Sequence, residues 1–101
     1  MKIAILITVH NRKEITLKCI KALFQCNEFD KKFIDIYIVD DGSTDGTAHS
    51  ISEMYPFIKL IPGDGNLFWN RGMYLCWKTA IKNSDYDFVL WLNNDTILTE
   101  D

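Results

Sequence analysis

No run of this chain is apolar for long enough to span a membrane, and it contains neither a Walker A sequence nor a GxGxxG fingerprint. Gly63, Gly65 and Gly72 in "GDGNLFWNRG" have the wrong spacing for that fingerprint and do not follow the first strand. Cysteine is scarce: Cys19, Cys26 and Cys76 make no CxxC pair and have no clustered histidines. That excludes a zinc site and a disulfide framework and fits a reducing compartment. With two prolines and five glycines there is no linker or low-complexity tract; "PGDGN" (62–66) is a loop inside one domain. The net charge is −3 with lysines and acids interspersed, so no basic stripe is expected for nucleic acid or anionic lipid. The opening "MKIAILITV" lacks a small-residue cleavage site and runs into "HNRKE", so it reads as a strand rather than a signal peptide.

What is present is the composition of one globular domain: 101 residues, 48% hydrophobic and 25% charged. A chain of this size buries roughly two thirds of its unfolded surface, enough for one core. "KIAILITV" (2–9) is β-branched and continuous, the pattern of a central buried strand. A helical period follows, with Ile15, Cys19, Ala22, Leu23 and Cys26 on one face and Asn11 and Glu14 spaced as a capping box. "IDIYIV" (34–39), "IKLI" (58–61) and "FVLWL" (88–92) read as further strands. Helices are expected near 47–55 and 70–82, the latter with Met73, Cys76, Trp77, Ala80 and Ile81 as its apolar stripe. Strand and helix alternate three times, which predicts an α/β fold: a Rossmann-like open sheet of about four parallel strands with three crossover helices.

Such sheets bind ligands beyond the carboxyl ends of their strands. Strand 1 ends in Thr8, His10, Asn11 and Arg12, strand 2 in Asp40 and Asp41, and strand 4 in Asn93, Asn94 and Asp95. "DDGSTDGT" has a bland reading, a turn in which Asp45 or Ser43 caps the next helix, and a functional one, with Asp41 accepting a nucleobase N–H. Asn93, Asn94 and Asp95 could simply close a strand. Alternatively Asp95 offers oxygen to a hard cation such as Mg2+ or Mn2+, commonly held by one or two carboxylates plus substrate phosphates. A bare carboxylate about 5 Å from one phosphate charge is repelled by roughly 3 kcal/mol at an effective dielectric of 20, so a diphosphate here requires a bridging cation. His10 has no second ligand beside it and suits a pocket wall; His49 is read as solvated. Arg71 and Lys78 are read as surface residues, with Arg71 near enough to a helix N-terminus to welcome an anion.

"ILITVHNR", "IYIVDDGSTDGT" and "LWLNNDT", in that order and spacing, resemble the N-terminal nucleotide-binding half of family 2 glycosyltransferases with the GT-A fold. The resemblance covers essentially the whole chain. It implies Thr8 and His10 in the base pocket, Asp41 on the base, Asp40 shaping the turn, Asn94 by the ribose or diphosphate, and Asp95 on the divalent metal. Asn93 stands where the family carries the first acid of DxD, so the motif here is poor in charge. "GDGNLFWNRGMY" matches a loop and helix start that face the nucleotide-sugar, which adds Asn66 and Arg71.

The implied reaction is inverting transfer of a sugar from a nucleotide-sugar donor to a hydroxyl of a saccharide or lipid-linked saccharide, in surface-polysaccharide synthesis. In the family the catalytic base, an Asp or Glu, and the acceptor site lie well beyond the metal motif. Glu100 and Asp101 are acids, but they follow that motif too closely to take the role, so the base is expected beyond Asp101. Residues 1–101 are therefore expected to be a single truncated donor-binding domain, inactive or nearly so alone. The expected location is cytoplasmic and, for the intact enzyme, the inner face of the membrane. An apolar strand 88–92 at a sheet edge predicts a homodimer. The rival readings are a noncatalytic nucleotide-binding or interaction module and, less well matched, a receiver-like signalling domain, which would want its acid pair after strand 1.

Overall fold

The computed structural model describes residues 2–25 and 33–93. It is a four-stranded, all-parallel sheet with three crossover helices: β1 (Ile3–Val9), α1 (Lys13–Gln25), β2 (Ile34–Asp40), α2 (Thr47–Met54), β3 (Lys59–Pro62), α3 (Phe68–Asn83) and β4 (Phe88–Asn93). The strand order is β3-β2-β1-β4, so the expected α/β architecture holds and β1 is an interior strand. The chain steps outward from β1 to β3 and then returns across the sheet through α3 to the far side of β1.

Side chains alternate across β1 and β2, and that alternation divides the core. Ile5, Ile7, Val9, Ile36 and Ile38 pack with Ile20 and Leu23 of α1 and Ile51 of α2. Ala4, Leu6, Tyr37 and Val39 point the other way, onto Met73, Cys76 and Ala80 of α3. Two helices thus cover one face and a single helix the other. Among the described residues β4 has one neighbour, β1, and keeps Phe88, Leu90 and Trp91 exposed, while Val89 and Leu92 reach the two cores.

Three expectations are corrected. In α1 the buried stripe is Thr16, Cys19, Ile20 and Leu23, while Ile15 is exposed; Cys26 lies outside the described residues. In α3 the helix begins two residues early, and Trp77 and Ile81 of the expected stripe face solvent. At 100° per residue they diverge from the direction shared by Met73, Cys76 and Ala80. Asn11 is not one half of a capping box: it has φ 49°, and its Oδ1 accepts the Thr44 N–H at 2.6 Å. The first turn of α1 is instead served from a distance, by Asp45 Oδ2 accepting the Lys13 N–H at 3.1 Å.

At the amino end of the sheet, polar groups form a chain. The Tyr37 hydroxyl lies 2.7 Å from that of Tyr86, which donates to Asp35 Oδ2 at 2.6 Å. Burial, then the carboxylate it serves and the Tyr37 hydroxyl, push the Tyr86 phenol well above its ordinary range.

Candidate functional site

The carboxyl ends of β1 and β2 sit side by side, with Val9 in register with Asp40 and the Asp41 N–H bonded to the Val9 carbonyl at 2.8 Å. Asp41 is only 2% exposed, and its carboxylate faces the loop that leads into α3. Oδ1 accepts the Gly65 N–H at 2.8 Å, Oδ2 accepts that of Phe68 at 2.9 Å, and the Leu67 N–H is shared between the two oxygens at 3.2 and 3.0 Å. An ionised carboxylate has about four lone-pair sites, and these contacts engage them. Asp41 is thus the anchor of the α3 entrance, whereas the turn-capping reading concerned only Asp45 or Ser43 and the start of α2. Burial pushes its carboxyl up, but the N–H groups of Phe68, Leu67 and Gly65, with His10 nearby, outweigh burial and hold it below the usual carboxylate value.

Glycine makes this approach possible at two points. A Cβ on Gly42 would lie 2.8 Å from the Gly65 Cα, and one on Gly63 would lie 2.8 Å from Asp41 Oδ1. The strand 2 turn and the 63–68 loop therefore touch backbone to backbone, as the Gly63 N–H bond to the Asp40 carbonyl at 2.8 Å also shows. Read in sequence, these glycines signalled only turns.

The result is a cavity of about 340 Å3. β1 contributes Thr8, Val9 and His10 to it, with Arg12 just beyond; Asp41 forms the floor, and Gly65, Phe68 and Trp69 form the opposite wall. Phe68 has φ 57°, a left-handed conformation uncommon for a large side chain, and is held there by its N–H bond to Asp41. Trp69 packs edge-on against Trp91 of β4, 5.9 Å between centroids. His10 Nδ1 lies 2.6 Å from the Asp41 carbonyl, which can only accept, so Nδ1 carries a proton and donates.

Thr8 Oγ1 is buried and has no hydrogen-bond partner. Its side chain packs against Gly72, where a Cβ would come within 2.7 Å of that oxygen. A buried hydroxyl without a partner is uncommon; this one is closed in beside Gly72, while Thr8 as a residue lines the cavity.

The site residues expected from sequence fare differently. Thr8, His10 and Asp41 come together. Asp40 lies outside the cavity wall: its Oδ1 accepts the Ser43 N–H at 3.0 Å, shaping the turn, and it borders a separate depression of about 250 Å3 on the β3 side. Asn66 and Arg71 are exposed and do not line the cavity. In α3 the inward direction is taken by Trp69 and Gly72, and Arg71 points about 100° away from its neighbour. The Asn93 backbone pairs with Thr8, at the rim. Asn94 and Asp95 lie outside the described residues, among which no group of three His, Cys, Asp or Glu could hold a metal ion. Asp101, beyond which the catalytic base is expected, also lies outside the described residues. Sequence reasoning missed Val9, Gly65, Phe68 and Trp69. The one available signal was the exposed-type pair "FW" placed directly after a glycine-rich loop.

A family model described as Glycosyl transferase family 2 matches residues 4–101. The poly-beta-1,6-N-acetyl-D-glucosamine synthase of Staphylococcus aureus strain COL is 34% identical over 105 residues, covering 98% of this chain and 23% of that protein. The same synthase from strain MSSA476 is 36% identical over 91 residues, covering 87% and 19%. The chain thus spans about a fifth to a quarter of the length of these relatives. Among solved structures, S. aureus TarS 1–349 in complex with UDP superposes with TM-score 0.81 at 19% identity, covering 100% of this chain and 29% of that one. The mannosyltransferase PcManGT of Pyrobaculum calidifontis, in complex with GDP-Man and Mn2+, superposes with TM-score 0.71 at 17% identity, covering 95% and 28%. At such identities these two report the fold.

Proposed function

Because the chain belongs to glycosyl transferase family 2, we propose that it is the donor-binding portion of an enzyme of polysaccharide assembly that transfers a sugar from a nucleotide-sugar to a hydroxyl acceptor. The observation that carries this reading is the cavity at the carboxyl ends of β1 and β2, walled by Thr8, His10, Phe68 and Trp69. A buried polar group costs about 1–3 kcal/mol when left unpaired, so a donor that draws the Thr8 hydroxyl away from Gly72 into a hydrogen bond gains about that much. His10 and the aromatic wall of Phe68 and Trp69 shape the space around it. Asp41 acts on the donor by fixing that wall, its carboxylate being engaged by the loop.

Asn94 and Asp95 follow directly on the strand tip that pairs with Thr8, so the reading assigns Asn94 to the diphosphate side of the donor and Asp95 to a divalent cation, Mg2+ or Mn2+. Such a cation, when bound, neutralises charge on the departing diphosphate. The catalytic base and the acceptor site are assigned to a part of the whole enzyme beyond Asp101, outside the matched quarter of its relatives' length.

Calorimetric titration of the chain with UDP, GDP and dTDP, with and without Mn2+, tests the reading. Binding of one nucleotide is expected, weakened about fivefold or more by Thr8→Val, which removes one hydrogen bond of about 1 kcal/mol. Asp95→Ala is expected to abolish the Mn2+-dependent part alone. A folded chain that binds none of the three, or that binds equally well as Thr8→Val, overturns the assignment of this cavity.

A further inference from the structure

Helix α3 has two faces, and only one belongs to the core. Gly72, Met73, Cys76 and Ala80 are buried. The rest of its surface should be ordinary solvated helix, with charges of both signs. It is not. Tyr74, Trp77 and Ile81 stand at spacings of three and four residues, which places them in one stripe, and they are 57%, 38% and 47% exposed. Beside that stripe run Arg71, Lys78 and Lys82, all exposed and also spaced by seven and four.

The helix carries three basic residues and no acid over its sixteen residues, in a chain of net charge −3. The nearest acids in sequence, Asp64 and Asp85, lie beyond its two ends. Among the described residues Arg71 and Lys82 form no ion pair, and the Lys78 ammonium lies over the Tyr74 ring at 5.7 Å. The chain as a whole offers no basic stripe, but this helix does.

An aromatic and aliphatic row flanked by a basic row is the composition that settles at the boundary between lipid headgroups and acyl chains, where rings sit at headgroup level and cations meet anionic lipid. We propose that the outer face of α3 docks on an anionic membrane surface, with Tyr74, Trp77 and Ile81 entering the interface and Arg71, Lys78 and Lys82 contacting lipid phosphates. The occupant follows from charge complementarity: an apolar row alone would suit any partner, but a uniformly basic row selects an anionic one. The inference is independent of the donor site. No helix among the described residues is long and apolar enough to cross a membrane, so the contact proposed for α3 is with the membrane surface.

The test is flotation of the 101-residue chain with vesicles of phosphatidylcholine alone and of an equal mixture with phosphatidylglycerol. Binding to the mixed vesicles only, falling with added salt, is expected. Lys78→Glu/Lys82→Glu should weaken it about tenfold or more, while the matched pair Lys18→Glu/Lys21→Glu on α1 should leave it close to wild type. Trp77→Ser should also weaken it, and wild-type tryptophan emission should shift to the blue on binding. Three results overturn the proposal: no flotation by a folded chain, equal losses in the two charge-reversal pairs, or an oligomer dispersed by Trp77→Ser in a chain that ignores vesicles. The last would give this face to a second copy of the chain.

Discussion

Asp41 shows how a single side chain changes meaning between sequence and structure. Its carboxylate is read most naturally as something pointed at a ligand, yet it is spent on three backbone N–H groups of a loop more than twenty residues away. Asp41→Asn keeps the shape but turns one acceptor oxygen into a donor facing an N–H, so a loss of about 1–3 kcal/mol is expected in denaturant titration. The same residue shapes acid stability. Its folded carboxyl titrates below the ordinary value, so between the two values the unfolded chain binds more protons. The contribution is complete above about pH 4 and is lost as pH falls through the folded value. Asp41→Asn should therefore flatten the acid limb of the stability profile, and an unchanged limb would refute the account. Cys76 gives an independent check at the opposite end of the scale. Burial pushes its thiol up to about 12, and it donates to the Tyr37 carbonyl at 3.3 Å. At about pH 8.5, the ordinary thiol value, iodoacetamide should label it only in denaturant. Rapid labelling of the native chain would show that α3 does not stay closed over β2.

Among the elements, α3 is the one whose sequence was least legible. Period alone gave β1, β2 and the alternation of strand and helix, because β-branched runs and helical spacing are local signals. α3 is apolar over most of its circumference, so its inner stripe could be drawn through Trp77 and Ile81 as readily as through Gly72. Gly72 is the true point of contact with β1, and no local pattern reveals that its missing side chain is where Thr8 sits. The cavity was half visible for the same reason. Thr8, His10 and Asp41 stand at strand ends and follow from topology, whereas Gly65, Phe68 and Trp69 arrive through a long-range glycine contact. Gly72→Ala is expected to cost about 1–3 kcal/mol by overpacking the Thr8 side chain. Combining it with Thr8→Ala should recover most of that loss, since the two sites share one space. A double variant as unstable as the sum of the singles would remove the contact from the explanation.

For the molecule as a whole, β4 is the unfinished edge. Among the described residues it pairs with β1 alone and leaves Phe88, Leu90 and Trp91 exposed. An unpaired apolar edge recruits another chain. Light scattering of the 101-residue chain should give twice the monomer mass, and Leu90→Lys should return it to one; a monomer at high concentration would refute this.

The order β3-β2-β1-β4 also sets a timetable. β1 meets β2 from the pair Ile3–Ile34 onward and β4 from the pair Ile3–Phe88 onward, so its second neighbour comes much later in the chain than its first. On a ribosome β1 emerges before β4 and waits, one flank bare, until the residues between Val9 and Phe88 have followed. Loop closure over that span is entropically costly, and parallel pairing across such a separation is intrinsically slow. During that wait the bare flank of β1 is the stretch a chaperone has most reason to hold.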